Sequence, residues 1–383
     1  MGNKVFRFFI ILIIFIFFVS AFQISIFAQF VSSAESAILI DASTGQILYE
    51  KNADVPMPPA SITKIMTLLI GFEALEYKEI SWDDWVVVSE NAWSTGGSKM
   101  FLPIGERVSY RDIMTGISVV SANDGCVALA EYLYGSEEAF VGVMNKRAKE
   151  LGMLNTNFVN SNGLPDPNHI MSARDISILS QYLIEQFPEI LELESQTEFT
   201  FGGIRQFNRN PLLGIFPGAD GLKTGWTEEA GYCIVGTAQQ SGLRLVGVIL
   251  KTENEMERTK AVQELLNYGF KNFKQVTLGN AGEKVDNIGV KNGSKSSVPL
   301  IIDEDVTVVI PIDGEKDLET LILKDKDLIE APVISGTPVG KMEIRLNDQL
   351  LTELTLSTAE NIDRLGFWGR VFRSIGDFFK SFF

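Results

Sequence analysis

The chain has 383 residues, 45% of them hydrophobic, which is enough for two domains with cores of their own. A formal charge of −16 with no basic stripe argues against a nucleic-acid partner. Two cysteines are too few for a disulfide scaffold, and a single histidine leaves His169 as the residue on which any Ser-His-Asp enzyme or histidine-rich metal site would have to stand.

Lys4 and Arg7 precede an unbroken apolar run over residues 8–19, the charged and hydrophobic regions of an export signal. Ser32-Ser33-Ala34 supplies small residues where a signal peptidase reads, which places the cut after Ala34 and assigns residues 1–34 to the leader. An uncleaved anchor competes, because apolar character continues weakly through Phe30. Residues 37–41 and 46–49 are apolar runs joined by Ala42-Ser43-Thr44-Gly45, a hairpin signal.

Next comes Pro58-Pro59-Ala60-Ser61-Ile62-Thr63-Lys64. The prolines block an earlier helix start, and from Ser61 on the residues Ile62, Ile65, Met66, Leu68, Leu69 and Phe72 recur at helical spacing. Ser61 and Lys64 are therefore neighbours on the first turn. A lysine held there, short of water and near a second cation, has a depressed pKa and can take the proton of Ser61 without any histidine. An isolated Ser-x-x-Lys also fits an N-cap serine followed by a surface lysine. After a flexible loop at Ser94-Thr95-Gly96-Gly97-Ser98, helices are expected over 111–120, 126–134, 137–151 and 173–186, the last opened by Ser172 and Asp175 as a capping box. Ser121-Ala122-Asn123 stands between the first two. His169 falls in Pro165-Asp166-Pro167-Asn168-His169 and reads as a loop residue rather than a general base.

Lys223-Thr224-Gly225 opens a β-like segment, with antiparallel strands at 232–237 and 243–250 and a helix over 257–270 packing on them. Beyond Phe273 the texture changes to short strands, at 284–290, 306–311, 318–323, 341–346 and 350–356, separated by turns such as Asn292-Gly293 and Asp313-Gly314. This is a small all-β domain without a visible catalytic constellation, a spacer or partner-binding module. From Asn361 to the end, Leu365, Trp368, Phe372, Ile375, Phe379 and Phe382 recur every three or four residues, widened by Val371 and Phe378, with Arg370, Arg373, Ser374, Asp377 and Ser381 opposite. Arg364 alone breaks the apolar arc. Such a stripe marks a helix lying in a membrane interface, and docking on the β domain or on a partner is the other use for it. Cys126 and Cys233 lack metal-ligand spacing and read as buried free thiols, with a disulfide formed after export as the alternative, and no metal or cofactor site is expected.

Three short motifs thus stand in order: Ser61-x-x-Lys64, Ser121-Ala122-Asn123 and Lys223-Thr224-Gly225, a set that marks penicillin-binding proteins and class A β-lactamases. Around them are Asp124, then Ala128-Leu129-Ala130-Glu131, Asn160-Ser161-Asn162-Gly163-Leu164, and Asp220-Gly221-Leu222 running through the third motif into Trp226-Thr227 and Ala230-Gly231-Tyr232. On these residues, from about Ala37 to the last, the chain resembles the low-molecular-weight penicillin-binding proteins, serine-type D-Ala-D-Ala carboxypeptidases of peptidase family S11.

The resemblance implies an α/β (α+β) chain with the penicillin-binding-protein and β-lactamase-like transpeptidase fold, helices around an antiparallel sheet, over 35–272. A small all-β domain over 273–356 and a membrane-binding helix over 357–383 follow. It implies an exported enzyme, peripheral on the outer face of the cytoplasmic membrane, whose substrate is a peptidoglycan stem peptide ending in D-Ala-D-Ala and whose covalent inhibitors are β-lactams. In that mechanism Ser61 is the nucleophile and Lys64 the acylation base. Ser121 and Asn123 pass a proton to the leaving amine and hold the substrate amide. Lys223 keeps Lys64 neutral and, with Thr224, draws the substrate carboxylate. Gly225 lets the substrate backbone approach, and the backbone N–H groups of Ser61 and Trp226 hold the oxyanion. Ala122 differs from the Asp of class A β-lactamases but suits the carboxypeptidases. A β-lactamase and a non-catalytic β-lactam sensor are the rival readings. Fast penicillin turnover marks the first and a persistent acyl-enzyme the second.

Overall fold

The helix that follows Ser61 is apolar on every side, so it has to be enclosed, and the rest of the N-terminal domain is arranged to enclose it. The computed structural model describes residues 30–77 and 80–369; most of the expected leader and most of the expected C-terminal helix lie outside the described residues. In chain order the first domain runs β1 (Ser36–Asp41), β2 (Ile47–Lys51), a 3-10 turn (Ala60–Thr63), α1 (Lys64–Glu76), β3 (Trp85–Val87), α2 (Glu90–Ser94), β4 (Arg107–Ser109), α3 (Tyr110–Val119), α4 (Asn123–Tyr134) and α5 (Glu137–Glu150). It continues with α6 (Ala173–Gln186), α7 (Ile190–Glu194), β5 (Glu198–Phe201), β6 (Ile204–Phe207), β7 (Ala219–Thr227), β8 (Gly231–Gln240), β9 (Leu243–Thr252) and α8 (Glu255–Asn272). The remainder is β10 (Phe273–Gly279), β11 (Lys284–Lys291), β12 (Ser297–Ile302), β13 (Val306–Pro311), β14 (Leu318–Lys324), β15 (Leu328–Glu330), β16 (Pro338–Leu346) and β17 (Gln349–Thr358).

Five antiparallel strands in the order β2-β1-β9-β8-β7 form the central sheet. α8 lies on β8 and β9, α6 on β9 and β1, and α3, α4 and α6 surround α1. Ile65, Met66, Leu68, Leu69, Ile70 and Phe72 of α1 are buried, as its all-round apolar sequence requires. β7 is one of the two edge strands, so one row of its backbone groups is left for other partners. The C-terminal domain is all β, with a six-stranded sheet in the order β14-β16-β17-β12-β11-β15 and a β10-β13 pair over a separate core that includes Ile288, Leu300, Val308, Ile344 and Leu356. Mixed helices around an antiparallel sheet, followed by an all-β domain, are the fold class the sequence led us to expect.

Several details differ from the expectations. Ser172 does cap α6, its Oγ accepting from Asp175 N–H at 3.1 Å, but the Asp175 carboxylate does not reciprocate. It accepts instead from Asn155 N–H and Thr156 O–H, both at 2.7 Å. The loop at 94–98 is tied down rather than free, because Asn123 N–H donates to Ser98 O and its side-chain amide to Gly96 O, both at 2.8 Å. The C-terminal helix does not begin at Asn361: Ile362 bridges Val333, Arg364 bridges Gly293, and a helical turn opens only at Phe367. β5 and β6 were missed, although Gly202-Gly203 between them is a hairpin signal.

The segment expected to leave with the leader is also built into the domain. Ser32 and Ala34 are buried, and Lys51 Nζ donates to Ser32 O at 2.9 Å and to Ala34 O at 2.7 Å. A protein begun at Glu35 loses both acceptors, so it should be less stable than one begun at Ser32 by about 2 kcal/mol, the worth of hydrogen bonds to a charged group. Thermal unfolding of the two forms side by side checks this, and identical midpoints would show that the clamp contributes nothing.

Candidate active site

Ser61 does not sit on an α-helix. Pro58 and Pro59 carry no N–H, Ala60 takes a positive φ of 49°, and the chain makes one 3-10 turn before α1 begins at Lys64. That backbone costs of order 1 kcal/mol at Ala60, and its effect is to stand Ser61 at the head of the helix. Lys64 Nζ lies 2.8 Å from Ser61 Oγ and donates to Asn162 O at 2.5 Å. Lys64 is fully buried, and burial is the main cause that brings its pKa down to about 7, helped by the charges of Lys223 and Arg209 and opposed by Cys126 and Asp124.

The segment after residue 159 closes over this turn. Gly163 has φ +83°, and a Cβ there would lie 1.9 Å from Ala60 O, so no other residue fits. Thr67 Oγ1 donates to Ser161 O at 2.5 Å. His169 is a loop residue, yet it is buried and acts as a pin. Val159 N–H donates to its Nδ1 at 3.1 Å, and its Nε2 lies 2.8 Å from Thr63 Oγ1, whose hydroxyl donates to Ala60 O at 2.8 Å. That network places the ring proton on Nε2, and burial holds the imidazole neutral by lowering its pKa to about 4. His169 makes no hydrogen bond to Ser61.

Ser121 enters through the three-residue link between α3 and α4, and Asn123 opens α4. Ser121 has φ 61°, and both its Oγ and Asn123 Oδ1 are buried with no hydrogen-bond partner, while Asn123 Nδ2 is occupied by Gly96 O. Asp124, next in line, accepts from the backbone N–H groups of Met100 and Leu102 at 3.0 Å and fixes the opposite rim.

β7 supplies the third side. Lys223 and Thr224 are buried, Trp226 is 57% exposed, and the Trp226 ring stands 5.9 Å from that of Tyr232. Gly225 does admit a close approach, but the backbone that approaches is the chain's own. A Cβ at Gly225 would lie 2.9 Å from Pro59 O and 3.1 Å from Ser61 N. Ser61, Ser121, Asn123, Thr224, Gly225 and Trp226 line one cleft of about 1030 Å³, and Lys64 and Lys223 are buried beside it. Arg209 and Arg258 line the same cleft and were missed, since neither belongs to a spaced motif. Arg258 is 4% exposed, with its Nε unpartnered and its guanidinium 5.8 Å over the Tyr232 ring. Cys126 and Cys233 are free and buried, and burial raises their thiols to about 12 and about 11. Among the described residues there is no cluster of His, Cys, Asp and Glu that could hold a metal.

With this geometry described, comparison with known proteins gives consistent matches. Residues 25–254 match the family described as D-alanyl-D-alanine carboxypeptidase, and residues 273–364 the C-terminal domain of penicillin-binding protein 5. The D-alanyl-D-alanine carboxypeptidase DacC of Escherichia coli is 39% identical, covering 88% of this chain and 86% of its own. DacF of Bacillus subtilis is 34% identical over 92% of both. The crystal structure of penicillin-binding protein 5 from Haemophilus influenzae superposes with a TM-score of 0.81 at 34% identity, over 87% of this chain and 98% of that one. Penicillin-binding protein D2 from Listeria monocytogenes, in its ampicillin-bound form, superposes at 0.58 with 36% identity over 63% of this chain and 98% of its own.

The low pKa of Lys64 has a consequence for stability. Between about pH 7 and pH 10 the unfolded chain binds the lysine proton and the folded chain does not, so folding is favoured increasingly as pH rises. The stability of the wild type relative to Lys64→Met should therefore grow by about 1.4 kcal/mol per pH unit across that range. Denaturant titrations at several pH values measure it, and a difference independent of pH would mean that the folded-state amine keeps its proton throughout.

Proposed function

This chain belongs to the D-alanyl-D-alanine carboxypeptidase family, and on that premise we propose that it removes the terminal D-alanine from peptidoglycan stem peptides through an acyl-enzyme on Ser61. The observation that carries the reading is the fully buried Lys64 amine, 2.8 Å from Ser61 Oγ, with a pKa near 7. Above that pH the neutral amine offers its lone pair to the Ser61 hydroxyl while an N–H remains on Asn162 O.

Ser61 Oγ attacks the carbonyl between the two D-alanines as its proton passes to Lys64. The oxygen that becomes negative is held by the backbone N–H groups of Ser61 and Trp226, which together supply several kcal/mol of transition-state stabilisation. Collapse of the adduct breaks the peptide bond, and the proton returns through Ser121 to the leaving amine, so free D-alanine departs. The unpartnered Ser121 Oγ and Asn123 Oδ1 suit this role, since both keep their capacity for the substrate. Lys223 and Thr224 receive the terminal carboxylate, with Arg209 and Arg258 strengthening the positive end of the cleft. The substrate lies along the β7 edge as an added strand. Water then cleaves the ester by the reverse path. A penicillin forms the same ester at Ser61 and leaves it slowly.

The enzyme works outside the cytoplasm, at the outer face of the membrane, held there by its C-terminal segment. Phe367 and Trp368 at the opening of the last helical turn are 65% and 69% exposed, as the leading edge of an interfacial helix needs to be. No helix among the described residues is long and apolar enough to cross a membrane.

Two measurements test this reading. The wild type should release D-alanine from a diacetyl-Lys-D-Ala-D-Ala peptide and turn over a chromogenic cephalosporin slowly, whereas folded Ser61→Ala should show neither release nor covalent labelling by fluorescent penicillin. Labelling of Ser61→Ala at the wild-type rate would sink the assignment. For the membrane, a protein ended at Arg364 keeps Thr358 and Ile362, which are buried in the β domain, and loses only the tail. It should leave the membrane fraction in high salt. Full retention would move the anchor elsewhere.

A further inference from the structure

Glu194 ends α7 and belongs to none of the motifs, yet it is 1% exposed. α7 packs against β7 and carries this carboxyl into the wall behind the cleft. A Cβ at Gly221 of β7 would lie 3.6 Å from Glu194 Cβ, and Lys223 is two residues further along the strand. Glu194 Oε2 has no hydrogen-bond partner, and neither has Ser118 Oγ, which faces the carboxyl from α3. A carboxyl buried with one oxygen unpartnered needs a nearby cation or has to stay protonated. Lys223 is that cation.

The arrangement is built rather than incidental. Asn208 Nδ2 donates to Glu194 O at 3.0 Å and to Gln196 O at 2.9 Å, and Asn210 Nδ2, itself buried, donates to Gly221 O at 2.9 Å. The segment Asn208-Arg209-Asn210 therefore staples the end of α7 to β7 and delivers Arg209 to the cleft between the two staples. Lys223 is faced by Glu194 from α7, Arg209 from this segment, Cys126 from α4 and Arg258 from α8, and it lies near Lys64 at the start of α1. Of these groups Glu194 alone is a carboxyl.

We propose that Glu194 is a positioning residue for the reaction, whose carboxylate sets the charge of Lys223 from behind β7 and thereby the cleft's hold on the substrate carboxylate. The proposal rests on the reading above, in which Ser61 is acylated and Lys223 receives that carboxylate. Burial pushes the Glu194 carboxyl up and Lys223 down, and each counters the shift of the other. On the alkaline side Glu194 is ionised and helps Lys223 keep its proton. Without that anion, burial and the two arginines drive the proton off at lower pH.

The test is the pH profile of acylation by fluorescent penicillin, a carboxylate ligand, in the full-length enzyme and in Glu194→Gln. The alkaline limb should move down by about one pH unit or more, the scale of a close opposite charge, while the acid limb set by Lys64 stays in place. On the alkaline side KM for a D-Ala-D-Ala peptide should rise about tenfold with a smaller change in kcat, as one pH unit implies. Glu194→Asp keeps the carboxyl but withdraws it by one methylene, so its alkaline limb falls between the two. A uniform loss of rate with both limbs at their wild-type positions overturns the proposal and leaves Glu194 a structural residue. Should Glu194→Gln fail to fold, an alkaline limb of Glu194→Asp that coincides with the wild type overturns it equally. Wild-type protein that never labels at Ser61 refutes the carboxypeptidase reading instead, so the two failures are distinct.

Discussion

A lysine amine held out of water beside a serine hydroxyl is the constraint on which the rest of the molecule depends. An exposed Lys64 would carry its proton at neutral pH and could not serve as a base. Burial solves that problem and creates another, because a neutral amine in an apolar core still needs partners. α1 supplies the burial by being apolar all round, and the Asn162 carbonyl supplies the partner. Holding Asn162 in place requires Gly163 to press against Ala60 and His169 to pin Thr63. The one histidine of the chain thus holds in place the turn that carries Ser61 and Lys64.

Around this centre the charges are graded. Lys223 and Arg209 disfavour a second positive charge at Lys64, while Asp124 and Cys126 moderate the effect. The same cations lie at or beside the cleft, so one electrostatic arrangement both lowers the Lys64 pKa and makes the cleft favourable to an anionic group. Strained backbone occurs at the same place: Ala60 and Ser121 have positive φ values and flank the cleft. The surrounding core, with helices on both faces of a five-stranded sheet, is what stabilises those conformations.

The two domains differ in what they ask of their residues. In the first, a buried polar group is repeatedly tied to backbone, as with Asp124, Asp175 and Asn210, because loops there must be held to fractions of an ångström. In the all-β domain the core is aliphatic, and its ion pairs, such as Lys295 with Glu360 and Lys341 with Glu353, lie at the surface where they contribute little.

The sequence by itself determined the closeness of Ser61 and Lys64, the order of the three motifs, most helices and strands, and the change of texture near Phe273. All of these are written in spacing: Ser61 and Lys64 are three residues apart, and strand and helix periods can be counted. Only the tertiary structure decided which other groups surround the site. Arg209, Arg258 and Glu194 belong to none of the motifs and carry no local pattern, and they converge because α7 packs on β7 while α8 packs on the neighbouring β8 and β9. Gly225 shows the same limit, since its close neighbour is the turn at Pro59, more than 160 residues earlier in the chain. The capping carboxylate at Asp175 and the tail at Ile362 were misjudged for the same reason. A local pattern says what a residue can do with its neighbours in sequence, and folding brought each of these a nearer partner from elsewhere.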